Sequence, residues 1–389
     1  MDPYVFKRLW RRPWLSLCSL ILSATLCFLM GYLSNYRQNQ MDKLQETKEQ
    51  YDILCVVTDR RGTRTTSLRM NKDVAAFLMD ESEEGMAQYV RDLRITKEYS
   101  YTCPALGIGD YSDAVLVGVS NERCDDRLNP EKDGKVTYLT ENFYEQSDYI
   151  CLVSEQMYKK LDSDTFKIMV EDPFVSPQLY GLLGSDMIEI TVAGYYAGGD
   201  ESIFISFDAS QRLADEMSGG LRSSDSVSFL AADNETLDQI YDVAAKIFGK
   251  VDPNATDKNI PKIALTIHDE QYRATVAALE QNIARTGYLL PVVLVLGLGV
   301  GFLISFLYTR NERKTYALMR TLGTTRGKLF GSILREQLLL VAVAALAALA
   351  VTKEPVPTAV YFTCYAVGCG ACIIRAIRVP PTAILRDQE

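Results

Sequence analysis

The sequence is poor in the residue types that carry most enzyme chemistry. Histidine occurs once among 389 residues, at position 268. A histidine-based metal cluster is therefore excluded, and a Ser-His-Asp triad would have to use this one side chain. His268 lies where a predicted strand meets a long predicted helix, a position typical of a helix start. We predict that the chain is not an enzyme and binds no metal and no cofactor.

A nucleotide-binding loop is missing as well. Such a loop needs the pattern G-x-x-x-x-G-K-[ST], so that backbone N–H groups and the lysine reach the phosphates. Residues 323–329, GTTRGKL, come near this pattern but have one residue too few between the glycines and a leucine after the lysine. Any ATP hydrolysis that drives this protein must therefore occur on another chain.

Charge is distributed unevenly along the chain. The net charge is −9, yet residues 38–285 alone carry 44 Asp and Glu against 25 Lys and Arg. The remainder is apolar and basic. This division indicates a membrane protein whose parts lie on opposite sides of a bilayer, and no nucleic-acid partner is expected.

Four apolar runs approach the length that spans a hydrocarbon core, about 20 residues for about 30 Å. We predict transmembrane helices at residues 14–34, 287–308, 329–352 and 356–374. The third run reaches spanning length only by including Arg335 and Glu336. The first is too long for a signal peptide and lacks a small-x-small cleavage site, so we expect an uncleaved anchor.

Basic residues flank these runs and set the expected orientation. They lie in residues 1–13, 309–328 and 375–389, and the positive-inside rule assigns all three segments to the cytoplasm. We therefore expect a multi-pass protein of the cell membrane with both termini inside and residues 35–285 outside.

Residues 35–285 are long enough to fold on their own, and we expect two subdomains of mixed α and β structure. Polar residues 37–50 predict a helical stalk, and the helix after the last predicted strand is expected to continue into the second span. Strands are predicted at YDILCVVTD, AVLVGVS, DYICLVS, DMIEITVAGYY, SIFISF, SVSFLAA and KIALTIH. Helices are predicted at DVAAFLM, EEGMAQYVRDL and NETLDQIYDVAAKIFGK, the last with Asn234 as its N-cap.

The predicted fold class is a four-helix membrane protein with a large mixed α+β extracellular domain between the first and second helices.

Cysteines and glycines leave alternatives open. Cys55, Cys103, Cys124 and Cys151 lie in the predicted outer region and either remain reduced or form up to two disulfides, with three possible pairings. In the second span, Gly297, Gly299 and Gly301 allow close helix packing at a dimer interface or act as flexible filler.

Residues 309–328 form a basic, glycine-punctuated segment between two spans. Asn311 can cap a short helix in which Tyr316, Met319 and Leu322 recur at three-residue steps. Gly323 suits a left-handed C-cap, and either of the next two threonines can cap the following helix. The pattern predicts a short amphipathic helix, a sharp turn and a return into the membrane. From the residues alone, a solvated basic loop is the simpler interpretation.

The segment ERKTYALMRTLGTTRGKLFGSILREQ resembles FtsX-like permeases of the MacB-type ABC transporter family, whose pattern is roughly R-x-x-E-x-x-x-L-R-x-L-G-A-T-x with a later Glu. The family's mid-helix Glu is Thr315 or Tyr316 here. The closing RVPPTAILR is similar to the family's P-x-x-A-L-R, and CLVSEQMYKKL with the following IEITVAGYY is similar to its extracellular core. The residues that match the first pattern are Arg310, Leu318 or Met319, Arg320, Leu322, Gly323, Thr324 and Glu336.

The resemblance implies a permease subunit that works with a separate ABC ATPase subunit and with a second permease chain, identical or different. The short helix would dock on the ATPase, and the stalks would transmit its motion to outer domains that export, extract or activate an extracellular substrate. Apolar anchors would be Tyr316, Met319 and Leu322, rim contacts Arg313 and Arg320, and further coupling residues Gly323 and Glu336.

A different class of function fits the same sequence. A membrane-anchored extracellular sensor or adaptor, or a regulator of cell-wall hydrolases without transport, would also have an acidic outer domain and a basic lipid-facing segment. The apolar face of the short helix distinguishes these functions. Burial in a protein groove favours the permease, and contact with lipid alone favours the sensor.

Overall fold

The computed structural model describes residues 13–109, 114–171, 187–218, 223–256 and 261–378. They form two compact units, which we call the helical unit (Met1–Thr47 and Ala274–Glu389) and the sheet domain (Lys48–Arg273). Two groups of predicted residues lie outside the described ranges: the basic flank Lys7, Arg8, Arg11 and Arg12, and the family-like positions Pro381, Ala383, Leu385 and Arg386.

The helices and strands of the described residues are as follows. The helices are α1 (Pro13–Gln50), α2 (Lys72–Met79), α3 (Glu155–Tyr158), α4 (Phe207–Ser218), α5 (Leu237–Ala244), α6 (Glu270–Asn311), α7 (Arg313–Thr321), α8 (Arg326–Thr352) and α9 (Pro355–Ile377). The strands are β1 (Leu54–Asp59), β2 (Val90–Thr102), β3 (Val115–Val119), β4 (Val136–Tyr138), β5 (Ile150–Ser154), β6 (Thr165–Glu171), β7 (Ile188–Tyr196), β8 (Ile203–Ser206), β9 (Ser226–Ala231) and β10 (Ile263–Ile267).

Among these elements, α1, α6, α8 and α9 are long and apolar enough to cross a membrane. Helix α1 continues through the polar residues 37–50, and α6 runs for 42 residues from Glu270 into its apolar part without interruption. The third of these helices, α8, contains Arg335 and Glu336 within its first half. Four apolar helices with a mixed α and β domain between the first and second confirm the predicted fold class.

The sheet domain is organised around a ring of paired strands. In the order β2, β3, β8, β5, β7 and β6, each strand pairs with the next, and β6 pairs back with β2. The β3–β8 and β5–β7 pairs are parallel and the others antiparallel. Strands β9, β1 and β10 extend the sheet from β2, and β4 pairs with β7.

Closure of the ring creates the main core of the sheet domain. Alternate residues of its strands point to the same side and are buried together, since the side-chain period of a strand is two. Tyr99 and Tyr101 of β2 share this core with Cys151 and Val153 of β5 and with Ile203 and Ile205 of β8. A closed ring also leaves few unpaired strand edges.

Three predictions for this region are wrong. The segment EEGMAQYVRDL is not helical: a 3-10 turn at Ala87–Tyr89 leads directly into β2, which is held by pairing with β9. The expected two subdomains are a single unit with one continuous sheet. The N-cap of the helical turn before α5 is Asp233, and not Asn234 as predicted. The carboxylate of Asp233 accepts a hydrogen bond from the N–H of Glu235.

Asn234, the predicted cap, has a different role. Its amide donates to the carbonyl oxygens of Lys48 at 2.9 Å and Tyr51 at 2.7 Å. It thereby ties the end of α1 and the residue after it to the sheet domain.

The four cysteines of the sheet domain are free thiols. Burial, with a smaller contribution from Asp269, raises the pKa of Cys55 to about 12. Burial also raises the pKa of Cys103 and of Cys151. Because the thiolate is the reactive form, these side chains act as small apolar groups.

Candidate coupling site

The predicted coupling segment is a short helix, a tight turn and a second helix. Asn311 is the last residue of α6 and not the N-cap of α7, so that prediction is wrong. Helical hydrogen bonds continue across the junction, from the N–H of Glu312 to Tyr308 and from that of Tyr316 to Glu312. The junction therefore leaves few N–H groups for a cap to satisfy.

The turn at Gly323 has the geometry predicted from the sequence. Its φ is +93°, a left-handed value that suits glycine. The N–H of Gly323 donates to Arg320 at 3.1 Å and that of Thr324 to Met319 at 3.0 Å. This pair of bonds is a Schellman motif, which satisfies the last carbonyls of α7. Thr325 occupies the N-cap position of α8, without a side-chain capping bond.

One face of α7 packs within the helical unit. Tyr316 is 7% exposed and lies in a cluster with Leu329 and Ile333 of α8 and Ile373 of α9. Met319 packs against the same cluster. Two of the three predicted anchors are thus part of the chain's own core.

The opposite face of α7 is exposed. Leu322 is 85% and Leu318 is 57% exposed, and the two lie four residues apart on one side of the helix. Arg313, at the start of the helix, is exposed as well. The sequence indicates Leu318 only as a match to the family pattern. Its four-residue spacing from Leu322 is the signal that could have placed both on one face.

Arg320 and Glu336 contact the rest of the helical unit. The guanidinium of Arg320 donates to the carbonyl oxygen of Ile377 at 3.1 Å, at the carboxyl end of α9. A cation is favourable there because the last carbonyls of a helix carry partial negative charge. Glu336 is buried at 6% exposure beside Gln337, whose amide atoms have no hydrogen-bond partner among the described residues. The prediction from sequence did not include Gln337.

The described part of this site consists of exposed side chains on a short, ordered helix–turn segment. It combines two exposed leucines, an exposed arginine and a turn fixed by backbone hydrogen bonds. Within the described ranges, no group of three or more His, Cys, Asp and Glu side chains could hold a metal ion.

The glycines of α6 pack within the chain. A Cβ on Gly297 would lie 2.7 Å from the ring of Tyr361, and one on Gly301 would lie 2.6 Å from the carbonyl oxygen of Tyr365. Both partners belong to α9. A Cβ on Gly299 would meet nothing within 4 Å. Of the two alternatives left open, Gly297 and Gly301 serve close packing, here between helices of one chain.

Comparison with known proteins gives two similar solved structures and one sequence family. Two solved structures are similar to the chain: the periplasmic region of MacB from Actinobacillus actinomycetemcomitans and the extracellular domain of the noncanonic ABC-type transporter YknZ from Gram-positive bacteria. The first has 11% identity, a TM-score of 0.33, and coverage of 59% of this chain and 94% of that one. The second has 12% identity, a TM-score of 0.29, and coverage of 55% and 99%. No curated protein matches the chain in sequence.

The sequence family gives the residues that carry the match. Residues 288–353 match the family described as FtsX-like permease C-terminal. They include α6 from residue 288 to its end, all of α7, the Gly323 turn and all of α8. These residues are therefore similar to the C-terminal part of FtsX-like permeases, the family that the sequence also resembles.

Proposed function

We propose that this chain is the permease subunit of an ABC-type transporter and that a separate ATPase subunit docks on the exposed face of α7. The observation that carries the proposal is an exposed leucine pair, Leu318 and Leu322, on a short helix inside the FtsX-like residues. Leucines exposed to this degree favour burial against a partner, and Arg313 beside them is suited to a rim contact.

The packing of α7 favours transmission of a force from this helix to α8 and α9. Tyr316 and Met319 hold its inner face against α8 and α9, and Arg320 binds the end of α9. The Gly323 turn is closed by two backbone hydrogen bonds. A push on Leu318 and Leu322 would thus move several helices, because a packed core is not continuously deformable.

Two uninterrupted helices support the proposed mechanical role. Helix α6 begins at Glu270 in the sheet domain and is separated from α7 by one residue, and α1 ends at Gln50 in the sheet domain. In the proposed arrangement the four apolar helices span the cell membrane, both termini are cytoplasmic and the sheet domain is outside. ATP binding would bring this chain and a second permease chain together, and the sheet domain would act on an extracellular substrate.

The experiment compares the exposed face of α7 with an unrelated exposed apolar surface. The full chain is purified from native membranes in mild detergent, and ATP hydrolysis is assayed in the eluate. We expect activity with the native chain and its loss in the Leu318→Asp, Leu322→Asp variant. The matched control is Leu139→Asp, Met79→Asp, which places the same charges on exposed apolar positions of the sheet domain (53% and 48% exposed).

Two outcomes would contradict the proposal. If no ATPase accompanies the native chain, the sensor or adaptor function becomes the better explanation. If the α7 variant and the control retain equal activity, the ATPase docks elsewhere. Tyr316 is not a useful test position, because a charge at a 7% exposed side chain would disturb the helical unit itself.

A further inference from the structure

Most of the charged residues that line one cavity of the sheet domain are cations. The cavity has a volume of about 790 Å³ and lies between the end of β1, the loop before α2 and the residues before β10. This volume is typical of sites for small molecules, which run from about 300 to 1,000 Å³. Among the described residues, the charged side chains around it are Arg60, Arg61, Arg64, Arg69, Lys262 and one carboxylate, Asp59.

The positive charge of these cavity residues contrasts with the negative net charge of the chain segment around them. Residues 38–285 carry a large excess of Asp and Glu, so random placement would favour acidic cavities. A concave surface lined by one sign of charge focuses the local potential and concentrates counter-ions. The cavity would therefore attract anions to a domain that otherwise repels them.

These cations also differ from other arginines of the sheet domain in their pairing. Arg94, Arg123 and Arg127 each form ion pairs with carboxylates. Arg60, Arg61, Arg64 and Lys262 form none with any residue in the described part of the chain. No ion pair within the described residues neutralises their positive charge.

The carboxylate that lines the cavity is engaged by its own loop. Asp59 accepts from the N–H groups of Thr63 at 2.7 Å and Arg64 at 2.8 Å, and from the hydroxyl of Thr63. Burial acts to raise the pKa of Asp59, but these hydrogen bonds outweigh it and the pKa is lowered. Asp59 thus shapes the loop that carries Arg60, Arg61 and Arg64.

Arg60 is a preformed cationic centre. Its guanidinium lies against the backbone of Gly249, where an added Cβ would come within 1.1 Å of Nη1. The Nε and Nη1 atoms are buried and have no hydrogen-bond partner among the described residues. A partly buried, uncompensated guanidinium is costly, and a nearby anion would offset that cost.

The rest of the rim is fixed by backbone geometry. Arg61 donates from Nε to the carbonyl oxygen of Ala255 at 2.8 Å. Ser67 and Arg69 have left-handed φ values of 55° and 54°, which are uncommon for residues other than glycine. The loop is anchored through the N–H groups of Leu68 and Met70, which donate to Asp225 and Ser224. Such backbone strain is often found at functional sites.

We propose that this cavity binds a small anion that carries two or more phosphate groups. Guanidinium groups match phosphate oxygens with paired N–H donors, and several of them around one cavity can contact several phosphates at once. The ligand is either a soluble phosphate compound or a phospholipid headgroup. The site does not depend on the permease function proposed above, since it uses only residues of the sheet domain.

The test uses the full chain in a zwitterionic detergent and inorganic tripolyphosphate as the probe, with binding measured by titration calorimetry. We expect saturable binding that weakens about tenfold or more in Arg64→Gln, which loses one charge-assisted contact. Lys160→Gln is the matched control, because it removes one exposed cation elsewhere in the sheet domain. It should bind like the native chain.

A second variant tests the geometry without changing any charge. Gly249→Ala displaces the Arg60 guanidinium, and we expect binding to weaken although every cation remains. Circular dichroism checks the fold of each variant. If Gly249→Ala does not fold, Lys262→Gln serves as a second charge variant, because Lys262 is exposed and lines the cavity, and it should weaken binding as Arg64→Gln does.

Competition distinguishes the two ligand sources. Displacement of tripolyphosphate by a short-chain cardiolipin, whose headgroup carries two phosphates, but not by dihexanoyl-phosphatidylcholine, assigns the site to a lipid headgroup. No displacement by either assigns it to a soluble phosphate compound. The proposal is overturned if tripolyphosphate does not bind saturably, if citrate binds as tightly, or if Arg64→Gln and Lys160→Gln weaken binding equally.

Discussion

The sheet domain and the helical unit stabilise their interiors in different ways. In the sheet domain, the side chains of Lys97 and Asp225 are almost fully buried and form an ion pair, with 3.4 Å between Nζ and Oδ2. In the helical unit, the hydroxyl oxygens of Ser19, Ser23, Tyr361 and Tyr365 are buried without a hydrogen bond of standard geometry among the described residues. The first interior contains a buried charge pair, and the second contains buried hydroxyl groups.

Close backbone contact between helices is a second feature of the helical unit. Gly301 and Gly368 let α6 and α9 approach until an added Cβ would lie 2.6 Å or less from a carbonyl oxygen of the other helix. Small residues at such contacts are the usual means of association in a bilayer, where lipid tails are as apolar as the side chains. The comparison indicates that substitutions which change charge should lower the stability of the sheet domain most. Substitutions which change side-chain volume should lower the stability of the helical unit most.

The largest effect is expected from breaking the buried ion pair. In Lys97→Met, Asp225 keeps a buried charge that has lost this partner, and such changes cost about 3–5 kcal/mol of unfolding free energy. Hydrogen exchange of β2 and β9 peptides in the full chain measures this as faster exchange.

The control for this prediction removes both charges. In Lys97→Met, Asp225→Asn, the amide oxygen can still accept from the N–H of Glu98, which lies 3.0 Å from Asp225 in the native chain. We expect protection to recover in part. Unchanged protection in the single variant would show that this pair does not stabilise the sheet domain.

A smaller effect is expected from adding one methyl group to the helical unit. Gly301→Ala forces the new Cβ against Tyr365, and overpacking of this kind costs about 1–3 kcal/mol. The Sγ of Cys369 lies 3.3 Å from the Gly301 carbonyl oxygen, so labelling of the Cys369 thiol on heating, followed by mass spectrometry, reports on the same contact. Labelling should begin at a lower temperature.

Gly299→Ala is the matched control, two residues away on the same helix. Its new Cβ meets nothing within 4 Å. Alanine is favoured over glycine in a helix by about 0.5–1 kcal/mol, so this variant should be as stable as the native chain or more so. Equal destabilisation by both variants would mean that helix flexibility, and not packing, is the role of these glycines.

The smallest expected effect is a pH dependence confined to the sheet domain. Burial acts to raise the pKa of Asp92 and of Asp125, but hydrogen bonds from Arg94 and Arg123 to the first and from Arg127 to the second outweigh it and lower both. Carboxylates with lowered pKa stabilise the fold above their ordinary pKa of about 4, and this stability is lost as the pH falls through the folded-state pKa.

Urea unfolding of the full chain at several pH values, followed by the circular dichroism of β-structure, measures this effect. Stability should be constant from neutral pH to about pH 5 and then decline. The decline should be smaller in Asp92→Asn, Asp125→Asn. An identical decline in that variant would assign the acid sensitivity to other groups.

Local sequence patterns predicted much of the fold. Every strand that was predicted from an apolar run is present, and so are the helices at DVAAFLM and after the last strand. The exception, EEGMAQYVRDL, has apolar residues at helical spacing, yet pairing of Val90 and Arg91 with β9 draws its second half into β2. Tertiary pairing overrides local preference in such cases.

The candidate site was predicted in part. The Gly323 turn follows from the rarity of left-handed conformations outside glycine, which is a local property. The grouping of Tyr316, Met319 and Leu322 on one face did not hold, since the first two pack on α8 and α9 while Leu322 is exposed. Three-residue spacing drifts around a helix, so it cannot specify which side meets a neighbour.

The sequence by itself determined the properties that depend on neighbouring residues: the lengths of the apolar helices, the separation of acidic and basic segments, and the turn at Gly323. Only the tertiary structure decided which distant residues meet. It closes six strands into a ring, buries Lys97 against Asp225, and brings Arg60 and Lys262 to one cavity. The physical reason is that burial and pairing depend on contacts between segments far apart in the chain, which periodicity and composition do not encode.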